Sequence, residues 1–136
     1  MYNKILVPMA LDHGISPQTL QIARTLLSTD GKITALHVFE VPKGSVSVYI
    51  GEETIERGFA AAFKLLKQKT AGMDGVTPEI TRGQAHHAII DYADEHGFDC
   101  IVFGSHKPDM SDYFIGSTAA RVVRHAPCAV HVHRDS

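Results

Sequence analysis

The chain has 136 residues, of which 44% are hydrophobic and 21% are charged, a composition typical of globular proteins. Its formal net charge is -2, and it has no run of either sign, which argues against a nucleic-acid-binding surface. No apolar stretch approaches the ~20 residues that a membrane-spanning helix needs, and the first residues are too weakly basic for a signal peptide. These features predict one domain over residues 1–136, located in the cytoplasm, with no nucleic-acid or membrane partner.

Five short apolar runs along the chain are typical of β-strands. The first, second and fourth are nearly continuous apolar stretches. Strands of this kind are covered on both faces, as in a parallel sheet. The predicted strands lie at residues 4–10, 32–40, 77–82, 99–105 and 128–133.

Between the predicted strands, apolar residues recur at the three- and four-residue steps of amphipathic helices. Ser16 followed by Pro17 indicates a helix start, because the serine hydroxyl caps backbone N–H groups and proline lacks an N–H that would have no partner there. Gly97 and Pro127 indicate two helix ends. The predicted helices lie in residues 16–29, 53–73, 84–97 and 117–126.

The alternation of strands and helices determines the predicted fold class. It indicates an α/β domain with a single open, doubly wound, five-stranded parallel sheet and helices on both faces, of the Rossmann-like type. One connection, residues 41–51, is longer than such a fold requires. We expect it to be a loop, which is either a lid over a site or a disordered segment.

The segment GSHKPDMSDYFIGST, residues 104–118, has the composition of an anion-binding loop. In open α/β sheets, ligands bind beyond the carboxyl ends of the strands, and the segment follows the fourth strand. Gly104 would let the backbone come close to a ligand. Gly116, Ser117 and Thr118 begin the last predicted helix, whose free N–H groups and dipole favour a phosphate.

Two further residues of this segment, His106 and Lys107, could approach the same anion. The alternative is a surface connection that ends in a capped helix and binds nothing. The segment is not a Walker-type phosphate loop, because the pattern GxxxxGK[ST] occurs nowhere in the chain. The residues alone therefore leave both a phosphate site and a plain surface connection open.

Three stretches of the sequence resemble those of one known family. They are KILVP in the first strand, ALHV in the second strand, and GSHKP followed by GSTAARVVRHAPCAVHV near the end. Together with the order of elements, they resemble the universal stress protein domain over essentially the whole chain, and GSHKPD is closest to its F/G-type branch. The resemblance implies an adenine nucleotide alpha hydrolase-like fold, binding of ATP or another adenine nucleotide, possibly with Mg²⁺, and a homodimer formed through the last strand, residues 128–133.

The resemblance also implies roles for individual residues. Pro8 and Val38 would line the adenine pocket, with Phe103 and Gly104 beneath the ribose. The stretch Ser105–Lys107 corresponds to a Ser-His-Arg/Lys-Pro stretch of nucleotide-binding members. It would therefore belong to the nucleotide site.

At two places the sequence departs from the family pattern. The family motif G-x2-G-x9-G-[S/T] is matched at both ends, but Lys107 stands at its middle glycine and the spacing to Gly116 is one residue shorter. Family members also carry an aspartate two residues after the proline of the first strand, where it holds the nucleotide or its metal ion. This chain has Ala10 there, and Asp12 is the nearest carboxylate that could replace it, the alternative being a solvated turn residue.

The remaining polar and sulfur-containing residues suggest no further chemistry. His131 and His133 share one face of the last strand, but a metal site needs further ligands that the sequence does not supply. His86 and His87 begin the third helix, where a capping or solvated role is expected. Two cysteines, Cys100 and Cys128, are predicted as buried reduced thiols in strands that could be neighbours.

The combined expectation is a dimeric, adenine-nucleotide-binding stress or regulatory protein with little or no turnover and no catalytic residues. No nucleophile–base pair or paired carboxylates in a cleft can be identified. Two alternatives stay open. One is a slow ATPase or phosphoryl-transfer enzyme, and the other is an interaction module that has lost nucleotide binding.

Overall fold

A computed structural model of the protein describes residues 1–12, 14–41, 44–105 and 116–134, and at residues 45–47 and 105 it describes the backbone only. Within these ranges no helix is long and apolar enough to cross a membrane. The elements follow in the order β1 (Tyr2–Pro8), α1 (Pro17–Leu26), β2 (Leu27–Phe39), α2 (Ser45–Ile50), α3 (Glu52–Thr70), β3 (Val76–Arg82), α4 (Ala85–Glu95), β4 (Cys100–Ser105), α5 (Ser117–His125) and β5 (Ala129–Arg134).

The five strands form one sheet in the order β3-β2-β1-β4-β5, and every neighbouring pair is parallel. The chain first builds outward from β1 to β3 and then returns to the other side of β1 to add β4 and β5. The order therefore reverses between β1 and β4, which is where this class of sheet leaves a crevice at the carboxyl ends of the strands. The predicted α/β fold is confirmed.

Helices cover both faces of the sheet, because alternate residues of each buried strand point to opposite sides. On one face, α4 and α5 pack through Ile89, Ala93 and Val122 onto the strands. On the other face, α1 and α3 pack through Ala23 and Leu66. The sheet is thus the middle layer of three, as predicted from its continuous apolar strands.

The first helix begins as predicted but ends earlier. The backbone N–H of Thr19 donates to Ser16 Oγ at 3.1 Å, which is the predicted N-cap. The prediction that helix 16–29 continues to its last residue is wrong, because Leu27 already has extended backbone angles (φ -79, ψ 137). Gly31 packs against this residue, and a Cβ there would lie 2.7 Å from Leu27 Cγ. Strand β2 therefore starts five residues before the predicted residue 32.

The connection over residues 41–51 is not a simple loop. Residues 45–50 form the short helix α2, so that prediction is wrong over this part, whereas residues 42–43 lie outside the described ranges. The side chains of Val48 and Tyr49 are 80% and 89% exposed. Because these two side chains are largely exposed, the sequence carried no buried helical stripe from which α2 could be predicted.

Other boundaries differ from the predictions by a few residues. Strand β1 ends at Pro8, two residues before the predicted end, although Met9 still donates its N–H to Leu36 O at 2.9 Å. Helix α4 stops before Gly97, which has the predicted left-handed backbone (φ 70). The two cysteines lie on or beside neighbouring strands, and both are free thiols.

Candidate functional site

A pocket of about 340 Å³ lies at the carboxyl edge of the sheet, where the strand order reverses. Its floor comes from the ends of β1, β2 and β4, and its walls come from the first turns of α1, α4 and α5. The lining is mostly apolar. It comprises Val7, Pro8, Met9, Ala10, Gly14, Ile15, Ser16, Thr19, Leu36, His37, Val38, Glu40, Ala85, Ile89, Phe103, Gly104, Gly116, Thr118, Ala119 and Val132.

Most of the predicted site residues that the structure describes line this one pocket. They are Pro8, Ala10, Val38, Phe103, Gly104, Gly116 and Thr118. They come from three strands and one helix start, and the fold brings them together because the carboxyl ends of parallel strands share one edge. Their grouping is an observation of geometry, and their role in holding a nucleotide stays a prediction.

The other predicted residues do not line the pocket or lie outside the described ranges. Asp12 is exposed in the turn after β1 and is absent from the pocket lining. Ser117, the first residue of α5, lines a separate groove between α4 and α5. Ser105 is the last residue of β4, and the structure describes its backbone only. His106 and Lys107 both lie outside the described ranges.

Gly104 is required by the packing of the protein itself. A Cβ at this position would clash with Thr19 Oγ1 and would lie 3.3 Å from Thr19 Cβ. Thr19 is only 2% exposed, so it has little room to move away. The sequence suggested that glycine lets a ligand approach the backbone. In the structure, the close neighbour is α1.

The start of α1 contributes two hydroxyl groups to the pocket wall. Ser16 Oγ donates to Thr19 Oγ1 at 2.9 Å and also accepts the N–H of Thr19. Both side chains line the pocket. The positive end of the α1 dipole and these two hydroxyls make this wall polar, in contrast to the apolar strand ends opposite.

Two ionisable side chains of the lining are held by backbone groups. Glu40 Oε1 accepts the N–H of Ala85 at 2.8 Å, which caps the first turn of α4. His37 Nδ1 lies 3.1 Å from Met9 O. Because a carbonyl oxygen only accepts, His37 donates from Nδ1, and the neutral ring then carries its lone pair on Nε2.

Helix α5 begins at the pocket, and among the described residues no side chain caps its N-terminus. Its N-cap residue is Gly116 (φ -52, ψ 150), whose carbonyl accepts the N–H of Ala120 at 2.9 Å. Within the described chain, a Cβ on Gly116 would have no atom within 4 Å. The first-turn N–H groups of α5 therefore have no side-chain acceptor at the N-cap, which is the arrangement that suits an anion.

The described residues of the pocket do not form a magnesium site. Mg²⁺ is bound in octahedral geometry, usually through one or two carboxylates together with water and phosphate oxygens. Glu40 is the one carboxylate among the described lining residues, and it already caps α4. No group of three or more potential metal ligands occurs within the described ranges.

Several lining residues were not predicted from the sequence, notably Thr19, His37 and Glu40. Thr19 lies one turn after the Ser16 N-cap, so the predicted helix start at the strand edge was a usable signal. His37 lies inside the ALHV stretch itself. Glu40 follows the end of β2, the position at which a side chain reaches the carboxyl edge. Each signal indicated where the residue lies in the fold, but it did not indicate that the side chain points into the pocket.

Comparison with known proteins identifies one family. The model of the universal stress protein family matches residues 1–134. Universal stress protein G of Shigella flexneri is 27% identical over 145 residues, which cover 98% of this chain and 100% of that protein. This relative agrees with the predicted F/G-type branch.

Two solved structures share the fold. The universal stress protein UspA from Lactobacillus plantarum has a TM-score of 0.70 and 27% identity, covering 98% of both chains. A universal stress protein family protein from Arabidopsis thaliana with AMP bound has a TM-score of 0.62 and 18% identity, covering 98% of this chain and 92% of that chain. With a family model matched along nearly its whole length, this chain belongs to the universal stress protein family.

Proposed function

We propose that this protein binds an adenine nucleotide in the pocket at the β1–β4 reversal and acts as a regulatory protein with little or no turnover. One observation carries the proposal: a cavity of about 340 Å³ joins an apolar floor to the start of α5, whose N-cap residue, Gly116, has no side chain. Ligand pockets usually measure about 300–1,000 Å³ and combine apolar walls with a few polar groups. The dimensions and the lining both fit a nucleotide.

The two ends of the pocket suit the two ends of a nucleotide. Val38, Ile89 and Val132 provide apolar surface for a base. Gly116 and Thr118 provide the N–H groups and hydroxyl of the α5 start for a phosphate. The relative from Arabidopsis thaliana, which has AMP bound, supports an adenine nucleotide over other phosphorylated ligands.

The proposal of low turnover rests on the chemistry of the lining. Phosphoryl transfer normally uses metal ions and a residue that positions or activates the nucleophile. Within the described lining, His37 and Glu40 are the ionisable side chains, and each is hydrogen-bonded to the backbone. We therefore assign the pocket to binding, with slow hydrolysis as the second possibility.

We further propose a homodimer formed through β5. This strand lies at the edge of the sheet, next to β4 on one side only. An exposed strand edge presents unpaired N–H and C=O groups that a second strand can pair with. Light scattering at several protein concentrations, compared with a variant carrying Val130→Pro, would measure the assembly.

The binding proposal is tested by isothermal titration calorimetry with AMP, ADP, ATP and cyclic AMP, each with and without Mg²⁺. We expect saturable binding of at least one of them with a Kd below about 1 mM, equivalent to roughly -4 kcal/mol. If none binds at that level, the chain is better described as an interaction module without a nucleotide. Multiple-turnover phosphate release from ATP would instead favour the slow enzyme.

A further inference from the structure

A second concave surface, separate from the nucleotide pocket, lies between α4 and α5. Its volume is about 590 Å³. We call it the basic groove, and its described lining is His86, His87, Ile90, Ser117, Ala120, Arg121, Arg124 and His125. Five of these eight side chains carry or can acquire positive charge, and none is acidic, although the chain as a whole has a net charge of -2.

The positive groups of the basic groove lie close to one another. The rings of His86 and His87 have centroids 4.1 Å apart. Partial burial and the charges of His87, Arg121 and His125 lower the pKa of His86, while Glu40 at the end of β2 opposes this. A cluster of cations with no carboxylate among its described lining residues is unfavourable for the isolated protein and becomes favourable when an anion binds.

The spacing of the groups favours an extended or helical ligand over a small one. Arg121, Arg124 and His125 lie three and four residues apart on α5, so they share one side of the helix. Ile90 and Ala120 add an apolar strip between the charges. A single phosphate is much smaller than the groove, and it would make no favourable contact with the apolar strip. A nucleic-acid surface would be expected to show a longer basic stripe.

We propose that the basic groove is a docking site for a carboxylate-rich, amphipathic peptide segment of a protein partner. Its Asp or Glu side chains would pair with Arg121 and Arg124, and an apolar side chain would rest on Ile90. Arginine is favoured at such interfaces because its planar guanidinium binds carboxylates in a bidentate manner. The proposal does not depend on nucleotide binding.

Fluorescence anisotropy with a labelled peptide tests the proposal. The peptide carries glutamates with leucines spaced three and four residues apart, and the same composition with lysines in place of the glutamates serves as the reference peptide. We expect the acidic peptide to bind and the basic one not to bind. The affinity should fall as salt is added, because partly exposed charges are screened. It should rise as the pH is lowered, because His86 then gains a proton and adds to the positive charge of the groove.

Two double charge reversals, one in the basic groove and one on α3, show where the peptide binds. In Arg121→Glu/Arg124→Glu we expect a loss of at least about tenfold in affinity, as is usual when charge pairs at an interface are reversed. The control Lys64→Glu/Lys69→Glu changes the net charge equally but lies on α3, on the opposite face of the sheet, so its effect should stay below about twofold. Retained circular dichroism spectra would establish that both variants fold.

Three results would overturn the proposal. The first is equal loss of peptide affinity in the α3 control. The second is displacement of the peptide by inorganic phosphate at a concentration no higher than that of the protein's peptide-binding sites. This result would assign the groove to a small anion. The third is tighter binding of a single-stranded oligonucleotide of the same charge than of the peptide.

Discussion

Thr19 Oγ1 on α1 occupies the space in which a side chain at residue 104 of β4 would begin. The two residues are far apart in sequence, and the contact exists because α1 crosses the strand ends at the β1–β4 reversal. Thr19 is itself fixed by the hydroxyl of Ser16, the N-cap residue. The floor and one wall of the pocket are therefore held together by a glycine, a buried threonine and a helix cap.

The first prediction follows from this contact. Gly104→Ala should lower the free energy of unfolding by about 1–3 kcal/mol, because overpacking a well-filled region forces its neighbours to shift. Thr19→Ala removes the clashing hydroxyl. Adding it to Gly104→Ala should recover part of the loss, so the two changes should not be additive. Urea denaturation of the four proteins in the cycle measures the coupling, and additive losses would contradict the contact.

The second prediction concerns the cap of α1. Ser16→Ala should destabilise the protein by about 1 kcal/mol, because the N–H of Thr19 loses its acceptor. Ser16→Asp should keep the stability near that of the original protein, since aspartate is an equally good N-cap residue. Thermal and urea unfolding measure both variants.

The same pair of variants also tests where the phosphate lies. Ser16→Asp adds a negative charge to the pocket wall, so it should weaken binding of AMP more than binding of adenosine. Calorimetry with the two ligands makes the comparison. Equal effects on both would mean that the phosphate, which we place at the start of α5, lies beyond the reach of a charge at the start of α1.

The third prediction concerns access to the pocket. Ala10 lines the pocket but is exposed, so Ala10→Phe should obstruct the pocket without entering the packed core. We expect a loss of nucleotide affinity of at least about tenfold, or roughly 1.4 kcal/mol, with stability changed by less than about 0.5 kcal/mol. The control is Ala61→Phe, an exposed position on α3. Unchanged nucleotide affinity in Ala10→Phe would argue against the pocket as the site.

The fourth prediction concerns the thiol of Cys100. Burial, with smaller contributions from Cys128 and Asp99, raises its pKa from 9.0 to about 11. At pH 8 the folded protein would hold roughly one thiolate in a thousand at this residue. In a Cys128→Ser variant, iodoacetamide should therefore leave Cys100 unmodified at pH 8 and should label it in urea, as read by mass spectrometry.

The same shift has a consequence for stability. In the folded state the Cys100 thiol keeps its proton up to a higher pH than in the unfolded state. Between about pH 9 and 11 the unfolded state therefore binds fewer protons at this residue. The free energy of unfolding should then decline as the pH rises through this window, and Cys100→Ser should reduce the decline. Rapid labelling of Cys100 in the folded protein at pH 8 would contradict both statements.

Much of the fold could be predicted from local signals. The strands that lie in the middle of the sheet are continuous apolar runs, and the Ser16–Pro17 pair and Gly97 mark helix ends through their own backbone chemistry. Two errors have physical causes. Leu27 is already extended and its partly buried side chain packs against the core, and α2 forms without a buried apolar stripe. Both depend on tertiary surroundings that propensity does not include.

The candidate site was predictable only in part. Pro8, Val38 and Phe103 were identified through the family resemblance, and their strands bring them to one edge. The reason for a glycine at position 104 was different from the expected one. The neighbour that excludes a side chain there is a residue of α1, a helix far away in the sequence. The helix start at Ser16 indicated where Thr19 lies, but its contact with Gly104 could not be predicted, for the same reason. Lys107, the residue that departs from the family motif, lies outside the described ranges.

The most direct test of nucleotide binding is an NMR titration of ¹⁵N-labelled protein with AMP. We predict saturable shifts of backbone amides around the pocket, including those of Ala10, Val38, Gly104 and Gly116, with the outer side of α3 unchanged. Amide shifts that never saturate, or that centre on α3 or on the basic groove instead, would contradict it.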